Sequence, residues 1–306
     1  MASFDRGLLV YQANAGQAEI EHNLSQVLPV LAEAVKELST VQTDSIEDLH
    51  ETAKRYKDEI DVFFILGGDG TVHECVNIFA EEENPPRFGV LPAGTCNDFA
   101  RMLGIPMDLN QAARTIVNGE TKAVDIGKAD GRYFANFWGI GLVTRTSYNI
   151  DEEQKDSLGV LSYFISAFKT MSGAETFEYQ LEIDGRKTEG EAVMLMVMNG
   201  AFIGTRQVPD PEVKLDDGYF NVMVIKDSNF RLFRELMTMN RPWTKEENFR
   251  ELEYKKASHI KVTTDPVEEV DRDGEIEGET PSEITLLPKH LSFLTGESGT
   301  HVAFEE

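Results

Sequence analysis

Cysteine is scarce in this sequence, with only Cys75 and Cys96 among 306 residues. Two such thiols offer neither a disulfide framework nor metal-ligand spacing, so a stapled secreted domain and a zinc module are both excluded. They are expected as reduced thiols in or near the core, which points to a cytoplasmic setting. Basic residues are short too: 29 Lys and Arg face 54 Asp and Glu, a formal net charge of −25. A nucleic-acid backbone demands excess cation, so that class of partner is excluded. The same charge opposes adsorption to anionic membranes, where basic residues supply the attraction. Long apolar runs are missing as well. The longest clean one, Val62 to Leu66, is far short of the roughly 20 residues a membrane span requires. Met1 to Val10 reads as a strand and not a signal peptide, because no long apolar core leads to a small-residue cleavage site. No internal repeat is present.

What is there is an ordinary globular composition, 41% hydrophobic and 27% charged, on a chain long enough for two domains. The first 125 or so residues alternate strand and helix signals. Gly7 to Gln12 reads as a buried strand, and Ile20 to Leu38 carries a helical apolar period through Leu24, Val27, Leu28, Leu31, Val35 and Leu38. A short strand over Ser39 to Gln42 follows, then a helix from Ser45 to Lys57 with Ser45 as N-cap. Strands at Val62–Leu66 and Arg87–Leu91 each precede a helix, from about Thr71 to Ala80 and from Asp98 to Leu103. Such alternation predicts a parallel sheet covered by helices. After Asp125 strands dominate: Tyr133–Gly139, Tyr179–Asp184, Glu191–Met198, Tyr219–Ile225, Ile260–Thr264 and Glu283–Leu287. Asp184-Gly185 and Asp217-Gly218 mark turns, Leu158–Met171 and Phe230–Met239 read as helices, and Thr295–Glu306 as a frayed tail.

Two clusters carry chemistry. Gly67-Gly68-Asp69-Gly70-Thr71 follows one apolar strand and opens a helix. Glycines allow a ligand close to the backbone, and free amides at a helix start favour phosphate. Asp69 is placed to hold magnesium, a hard cation that prefers carboxylate oxygen. No GK[ST] follows, so this is not a Walker loop, and GxGxxG is absent here. The second cluster, Gly94-Thr95-Cys96-Asn97-Asp98, also joins a strand to a helix, where Asn97 and Asp98 would serve at least as N-caps. Two such loops after successive strands predict one shared crevice at the carboxyl edge of the sheet.

GGDGT followed by GTxND resembles the diacylglycerol kinase catalytic-domain family, in its bacterial lipid kinase branch, from Gly7 to about Leu294. GGDGT alone is shared with NAD kinases. Specificity comes from the second loop, from Leu215-Asp216-Asp217-Gly218-Tyr219-Phe220 and from Asp273-Gly274-Glu275. The resemblance implies an α/β nucleotide-binding domain over 1–126, rejoined by 288–306, and a β-sandwich substrate domain over 127–287. It implies ATP held by Gly67, Gly68, Asp69, Gly70, Thr71, Gly94, Thr95 and Asn97, with Thr43 nearby. Asp69, Asp98 and Asp125 would form a carboxylate–water network with magnesium, and Asp217 with the carbonyls of Lys214 and Tyr219 would hold a further ion. Glu275 would be the general base, supported by Asp273. The implied protein is an ATP-dependent lipid kinase of phospholipid biosynthesis meeting its substrate at the membrane surface, and a homo-oligomer is compatible with this.

Two departures bear on the nucleotide. The family's proline-containing opening loop is here Gln12-Ala13-Asn14-Ala15-Gly16, and His73 stands where asparagine is common, either near the nucleotide or as a partly exposed first-turn residue. Asp265 to Glu283 holds nine acids and one base, net −8, so most of its glutamates read as a solvated loop. Lys226 to Lys261 holds nine bases and six acids, net +3, among aromatic and aliphatic residues. That stretch is either a route to an anionic membrane or an amphipathic helix packed on the second domain. NAD kinase and a catalytically silent nucleotide-binding regulator are the competing readings.

Overall fold

The computed structural model describes residues 3–13, 17–147, 176–207, 213–226 and 252–296. The helices expected over Leu158–Met171 and Phe230–Met239, and the tail after residue 296, lie outside them. The chain divides into two compact units, Met1–Val124 with Lys289–Glu306, and Asp125–Pro288.

Unit one runs β1 (Phe4–Gln12), α1 (Gln17–Ala34), β2 (Val35–Thr43), α2 (Ile46–Tyr56), β3 (Val62–Gly67), α3 (Asp69–Phe79), β4 (Arg87–Pro92), α4 (Asp98–Met102), α5 (Leu109–Asn118) and the start of β5 (Glu120–Ala129). The chain's last strand, β18 (Ser282–Thr295), ends here. The order is β2-β1-β3-β4-β18, and every one of these pairings is parallel. A parallel sheet is covered on both faces, hence the unbroken apolar runs: Leu8 to Val10 and Val62 to Ile65 are all buried. Phenylalanines tie α3 and α4 to this sheet. Phe79 of α3 lies 5.2 Å from both Phe63 and Phe88, and Phe99 of α4 lies 4.9 Å from Phe293 of β18.

Several boundaries differ from expectation, β1 among them, which begins at Phe4 and not at Gly7. Helix α1 stops at Ala34, and Val35 to Leu38 belong to β2, which pairs with β1 from Phe4↔Val35 to Gln12↔Thr43. Val35 and Leu38 satisfy the helical period, but the parallel ladder supplies partners for the whole nine-residue strand, and tertiary pairing overrides local period. Helix α3 begins at Asp69 and not near Thr71. Thr295 is the buried last residue of β18, its hydroxyl donating to the Glu120 carbonyl at 3.3 Å, and no part of a frayed tail. Ser45 does cap α2, accepting from the Asp48 amide at 3.2 Å.

Unit two continues with β6 (Arg132–Phe134), β7 (Phe137–Gly141), α6 (Leu142–Ser147), β8 (Phe177–Ile183), β9 (Arg186–Ala192), β10 (Met194–Met198), β11 (Phe202–Ile203), β12 (Arg206–Gln207), β13 (Phe220–Ile225), β14 (Leu252–Ala257), β15 (His259–Asp265), β16 (Glu269–Arg272) and β17 (Glu275–Glu279). One antiparallel sheet has the order β14-β13-β10-β7-β16-β17. The other contains β9-β8-β15-β18, with β5 pairing β18 and β6. Trp138, Val197, Val222 and Val270 from the first enter one core with Leu181, Ile260, Val262 and Ile284 from the second, which makes a β-sandwich. Asp184 (φ 46°) and Gly185 (φ 83°) turn β8 into β9, the positive pair a two-residue hairpin favours. The strand expected over Tyr133–Gly139 breaks at Ala135 and Asn136, whose amides are taken by a side chain. The strand expected over Glu191–Met198 breaks at Val193, which bridges Leu142 and Ile225.

Candidate functional site

In unit one the ends of β3 and β4 lie side by side, Gly67 opposite Pro92, with the Ala93 amide donating to the Gly67 carbonyl at 3.0 Å. The glycines that follow are needed for approach, not for conformation. Gly68 is extended (φ −95°, ψ −171°), but a Cβ on Gly94 would stand 2.4 Å from the Gly68 Cα. The two loops therefore touch backbone to backbone. The first intrahelical bond of α3 runs from the Val72 amide to the Gly68 carbonyl, so the amides of Asp69, Gly70 and Thr71 have no acceptor within the helix. Beside them is a cavity of ≈ 200 Å³ lined by Gln12, Asn23, Gly67, Gly68, Thr71 and Gly94, among others.

The polar side chains here hold the loops to each other. Asp69 accepts from the amides of Asp98 (3.1 Å) and Phe99 (3.0 Å), so it caps α4 from the neighbouring loop. Asn97, with a left-handed φ of 53°, caps nothing with its side chain. It accepts from the Gly94 amide (2.9 Å) and donates to the Gly94 carbonyl (2.7 Å), closing its own turn. Asp98 is a buried first-turn residue, not the N-cap, and Thr95 is exposed. Thr43 is buried, its hydroxyl donating to the Tyr11 carbonyl at 3.4 Å, and the Ala13 amide donates to the Thr43 carbonyl at 3.1 Å. Asn14, Ala15 and Gly16 lie outside the described residues. His73 is 1% exposed beside Asn77, which rules out a partly exposed position. Burial raises the Cys75 thiol's pKa, while Cys96 is only half-buried. Sequence reasoning missed Ile20 and Asn23 as pocket residues; the available signal was the first turns of the helix that follows the opening loop.

In unit two Asp125 is fully buried, and its carboxylate accepts from the Gly218 amide at 2.8 Å. That bond seats the Leu215–Phe220 turn. The next residue back, Asp217, accepts from the Tyr219 amide (3.1 Å) and pairs with Lys256 (3.3 Å). Lys214 and Tyr219 are exposed. Asp273 (φ 55°) accepts from three amides, of Ala135 and Asn136 at 2.8 Å and Phe137 at 2.9 Å. This pins the tip between β16 and β17, and Asp271 helps by accepting from the Gly274 amide at 2.8 Å. Glu275, the first residue of β17, is left exposed. Beneath the tip is Arg272, 3% exposed, its pKa lowered by burial despite Asp130 at 3.7 Å and Glu277 at 4.0 Å.

Among the described residues no three His, Cys, Asp or Glu side chains converge on one point. The candidate donors are oxygens only, carboxylates and carbonyls, and few in each unit. Magnesium, which takes one or two carboxylates and fills its shell with water and phosphate, fits such a set.

The comparisons with known proteins follow the same division. The diacylglycerol kinase catalytic domain matches residues 6–129, and the YegS C-terminal NAD kinase beta sandwich-like domain matches residues 140–295. A Staphylococcus haemolyticus protein named "putative lipid kinase" is 34% identical over 298 residues, 95% of this chain and 96% of its own. A crystal structure titled as a "putative diacylglycerol kinase" of Bacillus anthracis superposes with a TM-score of 0.87 at 37% identity, covering 97% of this chain and 98% of that one. A second, titled as a diacylglycerol kinase of the same organism, gives 0.82 at 35% identity over 97% and 99%. With both halves matched and relatives alike over nearly their whole lengths, the chain belongs to the diacylglycerol kinase catalytic-domain family, with the YegS-type β-sandwich as its second half.

Proposed function

We propose that this protein is a lipid kinase that transfers the γ-phosphate of ATP to the hydroxyl of diacylglycerol or a related lipid. The observation that carries the reading is the contact of Gly68 with Gly94, which sets the first turn of α3, whose amides have no acceptor within the helix, beside a cavity at two strand ends. Such amides bind polyphosphate without a lysine, through the N-terminal dipole and charge-assisted hydrogen bonds. Phosphoryl transfer asks mainly for positioning and charge neutralisation. Magnesium, when bound, supplies that neutralisation; Asp69 and Asp98 in unit one would hold one ion, and Asp217 in unit two, with the Lys214 and Tyr219 carbonyls, would hold a further one. Glu275, on a tip fixed by Asp271 and Asp273, accepts the acceptor hydroxyl's proton.

The test is incubation with labelled ATP and magnesium against a lipid panel, with NAD as a parallel acceptor and Glu275→Gln as the inactive variant. A labelled phospholipid from the wild type alone is expected. Labelling of NAD, or full activity in the variant, would refute the assignment in its present form. ATP binding without turnover on every acceptor would identify a silent nucleotide binder instead.

A further inference from the structure

Asn199 lies just after β10, is 0% exposed, and belongs to none of the motifs above. Its side-chain nitrogen donates to two carbonyls, those of Asp125 and Ala135, each at 2.8 Å. Both acceptors are oxygens, so only the nitrogen can face them and the amide orientation is fixed. Among the described residues its oxygen has no partner. An orphaned buried acceptor is a standing penalty, and here it falls on the side chain that joins two chemically important segments.

The bonds on either side run on to both. Asp125 holds the Gly218 amide through its carboxylate, beside Asp217. Ala135 gives its own amide to Asp273, two residues from Glu275. Asn199 is thus the central link of a path from Gly218 through Asp125, Asn199 and Ala135 to Asp273, entirely inside unit two. We infer that Asn199 is a positioning residue that holds the Asp217 turn and the Asp273–Glu275 tip in fixed register. This deepens the proposed lipid kinase reading and rests on it, since there the turn serves a cation and the tip carries the base. Asn199 touches neither reactant.

Asn199→Ala and Asn199→Ser, which keeps one donor, are compared with Asn221→Ala, a control at another amide that is 2% exposed and has an unpartnered nitrogen. Hydrogen exchange is read by mass spectrometry on the peptides holding Gly218 and Ala135–Phe137. In Asn199→Ala both peptides are expected to exchange about tenfold faster together, with β8 and β15 unchanged. The kcat falls about 10–100-fold, as for loss of other groups that orient reacting ones, with KM for ATP within about twofold. Asn199→Ser falls between, and Asn221→Ala lowers melting temperature without this pattern. Should the alanine variant not fold, the serine variant carries the comparison. Faster exchange in one segment only, or uniformly across unit two, overturns the inference, as does a kcat loss that merely tracks stability as in Asn221→Ala. The exchange arm needs no turnover. An inactive wild type with coupled exchange sinks the lipid kinase reading alone, whereas an active enzyme with uncoupled segments sinks this one.

Discussion

Gly94 shows how one missing side chain lets two loops meet backbone to backbone. The atom nearest a Cβ placed on it is backbone, the Gly68 Cα, and that Cβ would also come within 3.0 Å of the Asn97 side-chain oxygen. Neither can retreat, because Asn97 is bonded twice to Gly94 itself and Gly68 is fixed by the start of α3. Gly94→Ala should therefore push the loops apart and weaken binding of a fluorescent ADP analogue at least about tenfold, an effect of misplacement. Gly131→Ala is the contrast: its φ is +85° with nothing within 4 Å of the built Cβ. It should cost about 1 kcal/mol of stability and leave nucleotide affinity alone. Equal affinities in the two variants would show that the loop contact plays no part in binding. From the sequence, Gly94 is legible as a residue of close approach but its partner is not, since Gly68 is 26 positions away and only the sheet brings them together. Asp69 is legible as a carboxylate at the site. Its bonds to the Asp98 and Phe99 amides are not, because they depend on α4 starting beside α3.

Elements are legible in the sequence where pattern and pairing agree and obscure where they compete. The alternation in β8 and the apolar run in β3 have one physical solution each. The run from Val35 to Leu38 has two, and the sheet chose. The last strand was the hardest, because Ser282 to Thr295 serves both units and its exposed middle hides the return of Phe293 under α4. That return predicts a stability effect at the site. Phe293→Ala removes a ring packed 5.2 Å from Phe88 and 4.9 Å from Phe99, and should cost about 3–5 kcal/mol in urea unfolding. A loss under about 1 kcal/mol would mean β18 does not anchor α4. At the other sheet, Lys226 at the end of β13 pairs with Glu253 on β14, and Lys255 stands 3.4 Å from the same carboxylate. The hydrogen bond from Lys226 holds the Glu253 pKa below the ordinary 4.5. A depressed carboxylate stabilises the fold above its unfolded value and loses that contribution as pH falls through the folded one. The gap in urea midpoint between wild type and Glu253→Gln should thus be full near pH 6 and shrink as pH falls below the ordinary 4.5. A gap constant with pH would place the effect in packing.

At the scale of the whole molecule the excess of acid is the dominant fact, and it sets the response expected at an anionic lipid surface. A net −25 chain repels anionic bilayers unless a local patch reverses the sign. The basic stretch from Lys226 to Lys261 is the candidate, and Arg231, Arg234 and Arg241 within it lie outside the described residues. The four bases that are described are already committed: Lys226 and Lys255 to Glu253, Lys256 to Asp217, and Lys261 to Glu283. Ion pairs of this kind cancel the field a membrane would feel, so repulsion should dominate at long range. The Debye length shrinks from about 30 Å at 0.01 M salt to about 8 Å at 0.15 M, and repulsion between exposed charges shrinks with it. Co-sedimentation with phosphatidylglycerol vesicles should accordingly increase as salt is raised over that range, the opposite of the trend for a protein held by a basic patch. Binding that falls with salt, and is lost on charge reversal at Arg231, Arg234 and Arg241, would restore the patch and reverse the sign of the electrostatic argument.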